Sequence, residues 1–262
     1  MRRHPAEDQL SLDLGAGIAE LPESLRPMLP RPVDEPFDSP DHLFEPSWGG
    51  RRTLAFIEPA VDEAADGSGF LTADGRPSLR LLAGDHDVAR LLPELAGLAL
   101  QVAARSVLLD GELVVVDAHG RADPHALDER LAGRPGPAVA YLVFDLLYVD
   151  GLPILGKRLD RRRARLREVL RPGEHAIAVP AVVGEGRALH DAVTAQGLAG
   201  TLSRARSGPY LPGVRSRLWR FVAAGPRAAA EPTVEAAEAV ARPAGAGPVL
   251  AVIRRLPLDE EP

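Results

Sequence analysis

The stretch Phe44–Arg52, FEPSWGGRR, runs directly into an apolar segment, Thr53–Ile57, that is typical of a β-strand. In this stretch an acid, a proline and a tryptophan precede two glycines and two arginines. Paired glycines between a loop and a strand indicate close approach of the backbone, either to another strand or to a ligand. The loop is therefore predicted to border one of these.

Length and composition limit the class of protein. The 262 residues suffice for one large or two small domains, and 45% apolar content indicates a globular chain with an aliphatic core, since only 4% of residues are aromatic. The chain has no cysteine, which excludes disulfides and thiolate metal sites. No apolar run reaches membrane-spanning length, so we expect a cytoplasmic protein without a membrane partner. A net charge of −6 disfavours nucleic-acid binding over the whole surface but allows a local basic groove.

One feature of the basic residues bears on chemistry. Of the 31 lysines and arginines, Lys157 is the only lysine. A compositional bias toward arginine accounts for most of this. Lysine can lose its proton when desolvated and attack a substrate, whereas arginine stays protonated. Any mechanism that needs a lysine nucleophile must therefore use Lys157.

Hydrophobic patterns divide the chain into an arm at residues 1–20, a globular body at 21–224 and an Ala/Pro-rich linker and tail at 225–262. The body is predicted to have antiparallel strands covered by helices, an α/β (α+β) arrangement. The predicted helices are Glu23–Met28, Asp87–Leu100, Ala126–Leu131, Leu159–Leu170 and Gly186–Gln196. The predicted strands are Thr53–Ile57, Gly69–Thr72, Ser78–Leu82, Ser106–Asp117, Val139–Val149, Ile177–Val183, Leu198–Ala205, Arg217–Val222 and, in the tail, Val249–Arg255.

Two of these segments carry unusual charges. Asp110-Gly111-Glu112 interrupts an otherwise apolar strand, and such a triplet is costly to bury unless it faces a cleft. The helix Leu159–Leu170 is predicted to turn its leucines inward and its arginines outward, as a solvated face or as a nucleic-acid contact.

Several segments together resemble the adenylation domain of ATP-dependent DNA ligases, above all the bacterial repair ligases that serve end joining. Glu45, Gly50 and Arg52 match the pattern Glu-x-Lys-x-Asp-Gly-x-Arg of its nucleotide-attachment loop. The other similar segments, in family order, are Leu25–Met28, Leu109–Leu113, Val143–Tyr148 with Asp150-Gly151, and Arg206–Trp219. The resemblance covers roughly residues 21–224 and implies an antiparallel-sheet, ATP-grasp-like nucleotidyltransferase fold.

The resemblance implies roles for five nucleotide-binding residues. Glu112 would hold the ribose hydroxyls, Phe144 would stack on adenine, Arg52 would reach the ribose, and Glu45 would line the base pocket. Arg220 would keep the positive charge of one of two lysines that clamp the α-phosphate. By pattern alone Phe144 fits a core position equally well, whereas a carboxylate in so apolar a strand favours a cleft position for Glu112.

The phosphate side departs from the family pattern. Ser47 occupies the position of the nucleophilic lysine and Gly49 that of an aspartate, so no catalytic residue is predicted. Gln196 replaces a metal-binding carboxylate, which argues against Mg²⁺ because hard cations prefer carboxylate oxygens. Thr201 and Val222 stand where the family has two further lysines. The 38 residues from Gly225 to Pro262 are also too few for the five-stranded OB-fold that ligases carry.

Three functions remain open at this point. The favoured one is a catalytically defective ligase-like protein of DNA repair or recombination that binds ATP at most weakly, and that acts by binding DNA or a repair protein. The second is an active ATP-dependent DNA ligase, and the third is an interaction protein without a ligand. The residues predicted to contact DNA are Arg204, Arg206, Arg215 and Arg217.

Overall fold

A computed structural model describes residues 21–58, 78–117 and 121–225. The predicted arm, the strand Gly69–Thr72 and the tail with Val249–Arg255 lie outside these residues. The strands are β1 Leu29–Pro32, β2 Ser39–Ser47, β3 Arg51–Glu58, β4 Ser78–Ala83, β5 His86–Asp87, β6 Val107–Val114, β7 Ala140–Val149, β8 Leu152–Pro153, β9 Ala176–Ala178, β10 Val182–Gly184, β11 Gly200–Ala205 and β12 Arg215–Ala223. The α-helices are α1 Leu98–Gln101, α2 Pro124–Leu131, α3 Leu159–Val169 and α4 Gly186–Ala195; two short 3₁₀ helices span Ala89–Leu91 and Pro93–Gly97.

The strands form two sheets. The first sheet has the order β1-β12-β11-β2-β10, and the second has the order β5-β4-β3-β6-β7-β8 with β9 paired to β7. All pairs are antiparallel except β1–β12 and β7–β9. This confirms the predicted α+β class with antiparallel sheets. In the described residues no helix is long and apolar enough to cross a membrane.

Side-chain alternation distributes the core over both faces of the sheets. In β6, Leu109 and Leu113 join the cluster that α1, α2 and α3 cover, while Leu108 packs with Trp219 between the two sheets. On the outer face of the first sheet, Phe44 packs with Leu189 of α4. Helices therefore cover the outer face of each sheet. We call the polar part of the space between the two sheets the cleft.

Strand β7 has a β-bulge at Phe144, beside the cleft. Asp110 of β6 pairs with Asp145 and Gly111 pairs with Val143, which leaves Phe144 as the extra residue. A bulge re-aims the side chain it carries. At the end of β7, Asp150 and Gly151 have φ angles of 51° and 77°, as the tight turn predicted there requires.

Prolines explain where the predicted elements differ from the structure. Glu23–Met28 is not helical, because Pro27 disfavours helical backbone at Arg26. Pro93 begins the second 3₁₀ helix, which leads directly into α1, and separates it from the first, so the continuous helix predicted over Asp87–Leu100 does not form. Pro180 lies between β9 and β10, which belong to different sheets and replace the single strand predicted over Ile177–Val183.

The outward orientation predicted for the arginines of α3 is wrong for two of them. Arg162 and Arg163 are buried, with exposed fractions of 0% and 5%. Arg162 forms a bidentate ion pair with Asp145, with both N–O distances at 2.8 Å. Arg161, Arg165 and Arg167 are exposed, as predicted.

Candidate functional site

The glycine pair of the opening loop is explained by close backbone packing. A Cβ on Gly50 would lie 2.2 Å from the carbonyl oxygen of Leu113 in β6. Gly49 has a φ of 75°, and a Cβ there would lie 2.9 Å from the Cβ of Ala199. Of the two alternatives for this loop, the structure therefore shows close approach to a strand.

Glu45 and Ser47 share one face of β2, because side chains alternate along a strand. This face borders the cleft, where both side chains are buried. The carboxylate of Glu45 accepts a hydrogen bond from Arg163 of α3, and its Oε2 lies 2.6 Å from Nη1 of Arg204 in β11. Glu45 thus joins one helix and two strands.

Glu112 lies in the cleft, as its sequence context predicts. Its Oε1 accepts a hydrogen bond from the backbone N–H of Trp48 at 3.2 Å, so the carboxylate ties the opening loop to β6. Burial raises the pKa of Glu112, while the Trp48 N–H and then the charges of Arg52 and Arg204 act in the opposite direction. The side chain is 8% exposed.

Arg52 is held within the protein by Asp110. Its Nε lies 2.5 Å from Oδ1 of this fully buried carboxylate, and its Nη2 contacts Oδ2. The hydroxyl of Tyr210 donates a third hydrogen bond to Asp110, at 2.7 Å. Although burial acts against it, the Asp110 carboxylate raises the pKa of Arg52 above its ordinary value. The guanidinium that was predicted to reach a ribose is therefore engaged by a carboxylate.

The ring of Phe144 is covered by two arginines. The guanidinium carbon of Arg204 lies 4.0 Å from the ring centroid, and that of Arg52 lies 4.4 Å from it. The same two groups lie 4.6 and 5.3 Å from the ring of Trp219. Cations placed over aromatic rings are attracted by the negative face of the π-system. Two aromatic faces of the cleft therefore bind the protein's own side chains.

Arg204 is a fully buried charge in the cleft. Its side chain is 0% exposed, and burial lowers its pKa against the effect of Glu45, with Arg52 and Arg163 lowering it further. Among the described residues, none of its guanidinium nitrogens makes a hydrogen bond of good geometry. Its contacts are therefore the ion pair and the two rings.

Three residues that were expected at the phosphate side lie on the other face of the first sheet. The guanidinium of Arg220 lies 4.8 Å from the centroid of Phe37, and after burial its charge lowers the pKa of His42. The hydroxyl of Thr201 lies 3.2 Å from Nδ1 of His190 in α4, and Val222 pairs with Thr201 in register. Because side chains alternate along a strand, Arg204 of β11 and Trp219 of β12 face the cleft instead of these three residues. The structure thus corrects the predicted position of Arg220.

Comparison with known proteins decides the family. A family model described as ATP dependent DNA ligase domain matches residues 85–220, just over half of the chain. The chain belongs to this family. The resemblance that the sequence motifs indicate, to an adenylation domain of the bacterial end-joining type, is thereby confirmed.

Named relatives of this ligase-family chain support the same assignment. It is 32% identical to a DNA ligase of Methanoculleus marisnigri, over 62% of this chain and 31% of that protein. It is also 32% identical to the multifunctional non-homologous end joining DNA repair protein LigD of Mycobacterium tuberculosis, over 67% of this chain and 21% of that protein. The chain therefore spans a third or less of these relatives.

Solved ligase structures share the fold. A mycobacterial DNA ligase D complexed with ATP and MES superimposes with a TM-score of 0.60, at 25% identity over 76% of this chain and 60% of that one. The ligase domain of Mycobacterium tuberculosis LigD superimposes with a TM-score of 0.58, at 26% identity over 75% of this chain and 58% of that one.

In this ligase-family domain, Ser47, Lys157 and Gln196 lie in three different environments. Ser47 is 7% exposed, and its Oγ accepts a 3.4 Å hydrogen bond from the N–H of Gly49. Lys157 is exposed at the surface. Gln196 caps the C-terminus of α4, with a buried Oε1 that has no hydrogen-bond partner among the described residues. Within that part of the chain, no group of three His, Asp or Glu side chains could hold a metal ion.

The arginines predicted to contact DNA fall into two groups. Arg204 is buried in the cleft, which corrects its assignment to a DNA-binding surface. Arg206 is half-buried and donates a hydrogen bond to the carbonyl oxygen of Pro40. Arg215 and Arg217 are exposed on β12.

Sequence reasoning missed Arg162 and Arg163 as cleft residues, although the signal was present. Leu159, Arg162, Arg163 and Leu166 recur at the spacing of one helix face, which is the buried face of α3. The leucines on that face were recognised, whereas the arginines between them were assigned to solvent because of their charge.

The raised pKa of Glu112 predicts a pH-dependent stability. A carboxyl whose pKa is higher in the folded state stabilises the fold below its unfolded pKa, and this contribution is lost as the pH rises through the folded pKa. Glu112→Gln removes that titration. We therefore expect the free energy of unfolding of the variant, relative to wild type, to increase from about pH 4 to pH 7. Urea unfolding at several pH values measures this, and a pH-independent difference between the two proteins would contradict it.

Proposed function

We propose that this chain is a catalytically defective member of the DNA ligase family, which does not form a covalent adenylate and acts by binding. The observation that supports it best is the composition of the cleft. Ser47 stands at the attachment position, and Arg204 and Arg52 lie against Phe144, the ring that the resemblance assigns to adenine.

Adenylation requires a nucleophile that this cleft does not offer. In the family reaction a neutral lysine amine attacks the α-phosphorus, a P–N bond forms, and pyrophosphate leaves. A serine needs a general base to attack. Among the described residues, the hydrogen-bond partner of Ser47 Oγ is the Gly49 N–H, which is a donor and cannot act as a base.

Binding of ATP is proposed to be weak. The related ligase D is described as complexed with ATP. In this chain Glu45 is paired with Arg163 and Arg204, and Arg52 is paired with Asp110. A nucleotide would have to compete with these ion pairs for the same side chains.

The proposed partner is DNA or a DNA-repair protein, as the naming of the relatives suggests. Arg215 and Arg217 are exposed, and no carboxylate among the described residues forms an ion pair with either of them. Exposed arginines of this kind suit contacts to phosphate groups, which weaken steeply as the salt concentration rises.

The intact mass of the protein tests the proposal. After incubation with ATP and Mg²⁺ or Mn²⁺, we expect the mass to be unchanged because no lysine lies at the attachment position. Addition of one AMP per chain would contradict the proposed defect.

A further inference from the structure

We infer that Arg204 is a built-in occupant of the base site in the cleft, and that together with Arg52 it excludes nucleosides. The inference rests on the proposed function, since it explains why this ligase-family cleft binds nucleotides weakly. It adds one residue that determines the specificity of the site.

Arg204 covers the aromatic surface that a base would need. A base that stacks on an aromatic side chain gains about 1–3 kcal/mol of binding energy. Arg204 lies 4.0 Å from the ring centroid of Phe144 and 4.6 Å from that of Trp219, so one planar guanidinium contacts both rings. The rings are 3% and 1% exposed, which leaves no open face for a base.

The backbone holds Arg204 in this position. β11 is an inner strand of the first sheet, and Arg204 pairs in register with Leu43 of β2 on one side and with Trp219 of β12 on the other. The ion pair with Glu45 holds the far end of its side chain. A base that entered the cleft would therefore have to displace a buried ion pair as well as the ring contacts.

A comparison with Arg162 separates this role from a structural one. Arg162 is also fully buried, and it donates to both carboxylate oxygens of Asp145 and to the backbone carbonyl of Gly208. Arg204 has no hydrogen bond of good geometry among the described residues, and burial lowers its pKa. Burying a charge with so few partners is costly for stability. The position of Arg204 is therefore explained by its contacts with the two rings and not by a stabilising role.

Arg204→Ala tests the inference, with adenosine and AMP as probes. The two tryptophans of the chain, Trp48 and Trp219, are both buried beside the cleft, so their fluorescence reports on ligand entry. We expect Arg204→Ala to bind adenosine with a Kd lower than that of wild type by about tenfold or more. Arg220→Ala is the matched control, since it removes an arginine from the opposite face of the same sheet and should bind like wild type.

A second variant keeps the test valid if Arg204→Ala does not fold. Arg204→Val also removes the guanidinium, places a β-branched residue that suits a strand in β11, and leaves the ion pair between Glu45 and Arg163 intact. Equal adenosine affinity of wild type and of a folded Arg204 variant would overturn the inference. An AMP adduct on wild type would instead overturn the proposed function, so the two failures are distinguishable.

Discussion

Replacing Arg162 with methionine is expected to lower the free energy of unfolding by about 3–5 kcal/mol, the loss typical when one partner of a buried ion pair is removed. Arg162 and Asp145 are both 0% exposed, and their two N–O contacts are 2.8 Å long. The variant would leave Asp145 unpaired beside Asp110, which lies opposite it in the sheet. Two neighbouring carboxylates, of which only one has a cation, would then be buried together.

Denaturant unfolding measures this loss, and α3 itself supplies the control. Arg165 pairs with Glu168 at the surface, where its side chain is 45% exposed. Arg165→Ala should cost about 0.3–0.5 kcal/mol, as exposed helix pairs do. The double variant Asp145→Asn/Arg162→Met should recover part of the loss, because it leaves no unpaired charge. Equal losses for Arg162→Met and Arg165→Ala would contradict the structural role given to Arg162.

Replacing Phe144 with alanine is expected to lower the free energy of unfolding by about 3–5 kcal/mol, as for other buried aromatic rings. The ring is 3% exposed and lies between two guanidinium groups and the apolar cluster of Trp48 and Leu142. Its removal takes away both packing and the aromatic partner of two cations, the buried Arg204 and the half-buried Arg52. The loss is measured as the change in the free energy of unfolding.

Phe144→Leu separates the two contributions, because leucine keeps most of the apolar contact but has no π-face. We expect it to cost about 1–2 kcal/mol, the range for a desolvated cation–π contact. Wild-type stability of Phe144→Leu would show that the guanidinium contacts contribute nothing, and would contradict the role given to the ring.

The sequence predicted β3, β4, β6, β7, β11 and β12, which contain many apolar residues. It did not predict β1 and β2, whose segments contain two prolines each. The predicted helix over Asp87–Leu100 was wrong. Its leucines have helical spacing, and the prediction gave that pattern more weight than Pro93. Proline has no backbone N–H and its ring clashes with the preceding turn, so a continuous helix does not form in the structure.

The sequence predicted the location of the cleft better than it predicted the side chains that fill it. Glu45, Arg52, Glu112 and Phe144 lie together in the cleft. Arg220 does not, since a shift of one residue along a strand moves a side chain to the other face. Arg204 could not be placed over Phe144 from the sequence, because the bulge in β7 that positions this ring depends on pairing with β6.

Four arginines of the cleft pair with three carboxylates. Arg52, Arg162 and Arg163 pair with Asp110, Asp145 and Glu45, and Arg204 shares Glu45. Buried charges persist when they are paired in this way. Two of these ion pairs link neighbouring strands of one sheet, and the other two join α3 to β7 and to β2, so these side chains are already engaged within the protein.

The most direct test of the central claim is the intact mass of wild-type protein after incubation with ATP and a divalent metal ion. Ser47→Ala, treated in the same way, shows whether any adduct depends on the attachment position. The account predicts one unmodified mass for both proteins. A stoichiometric AMP addition to wild type that is absent from Ser47→Ala would contradict it, because Ser47 would then carry out the chemistry that the cleft is held to lack.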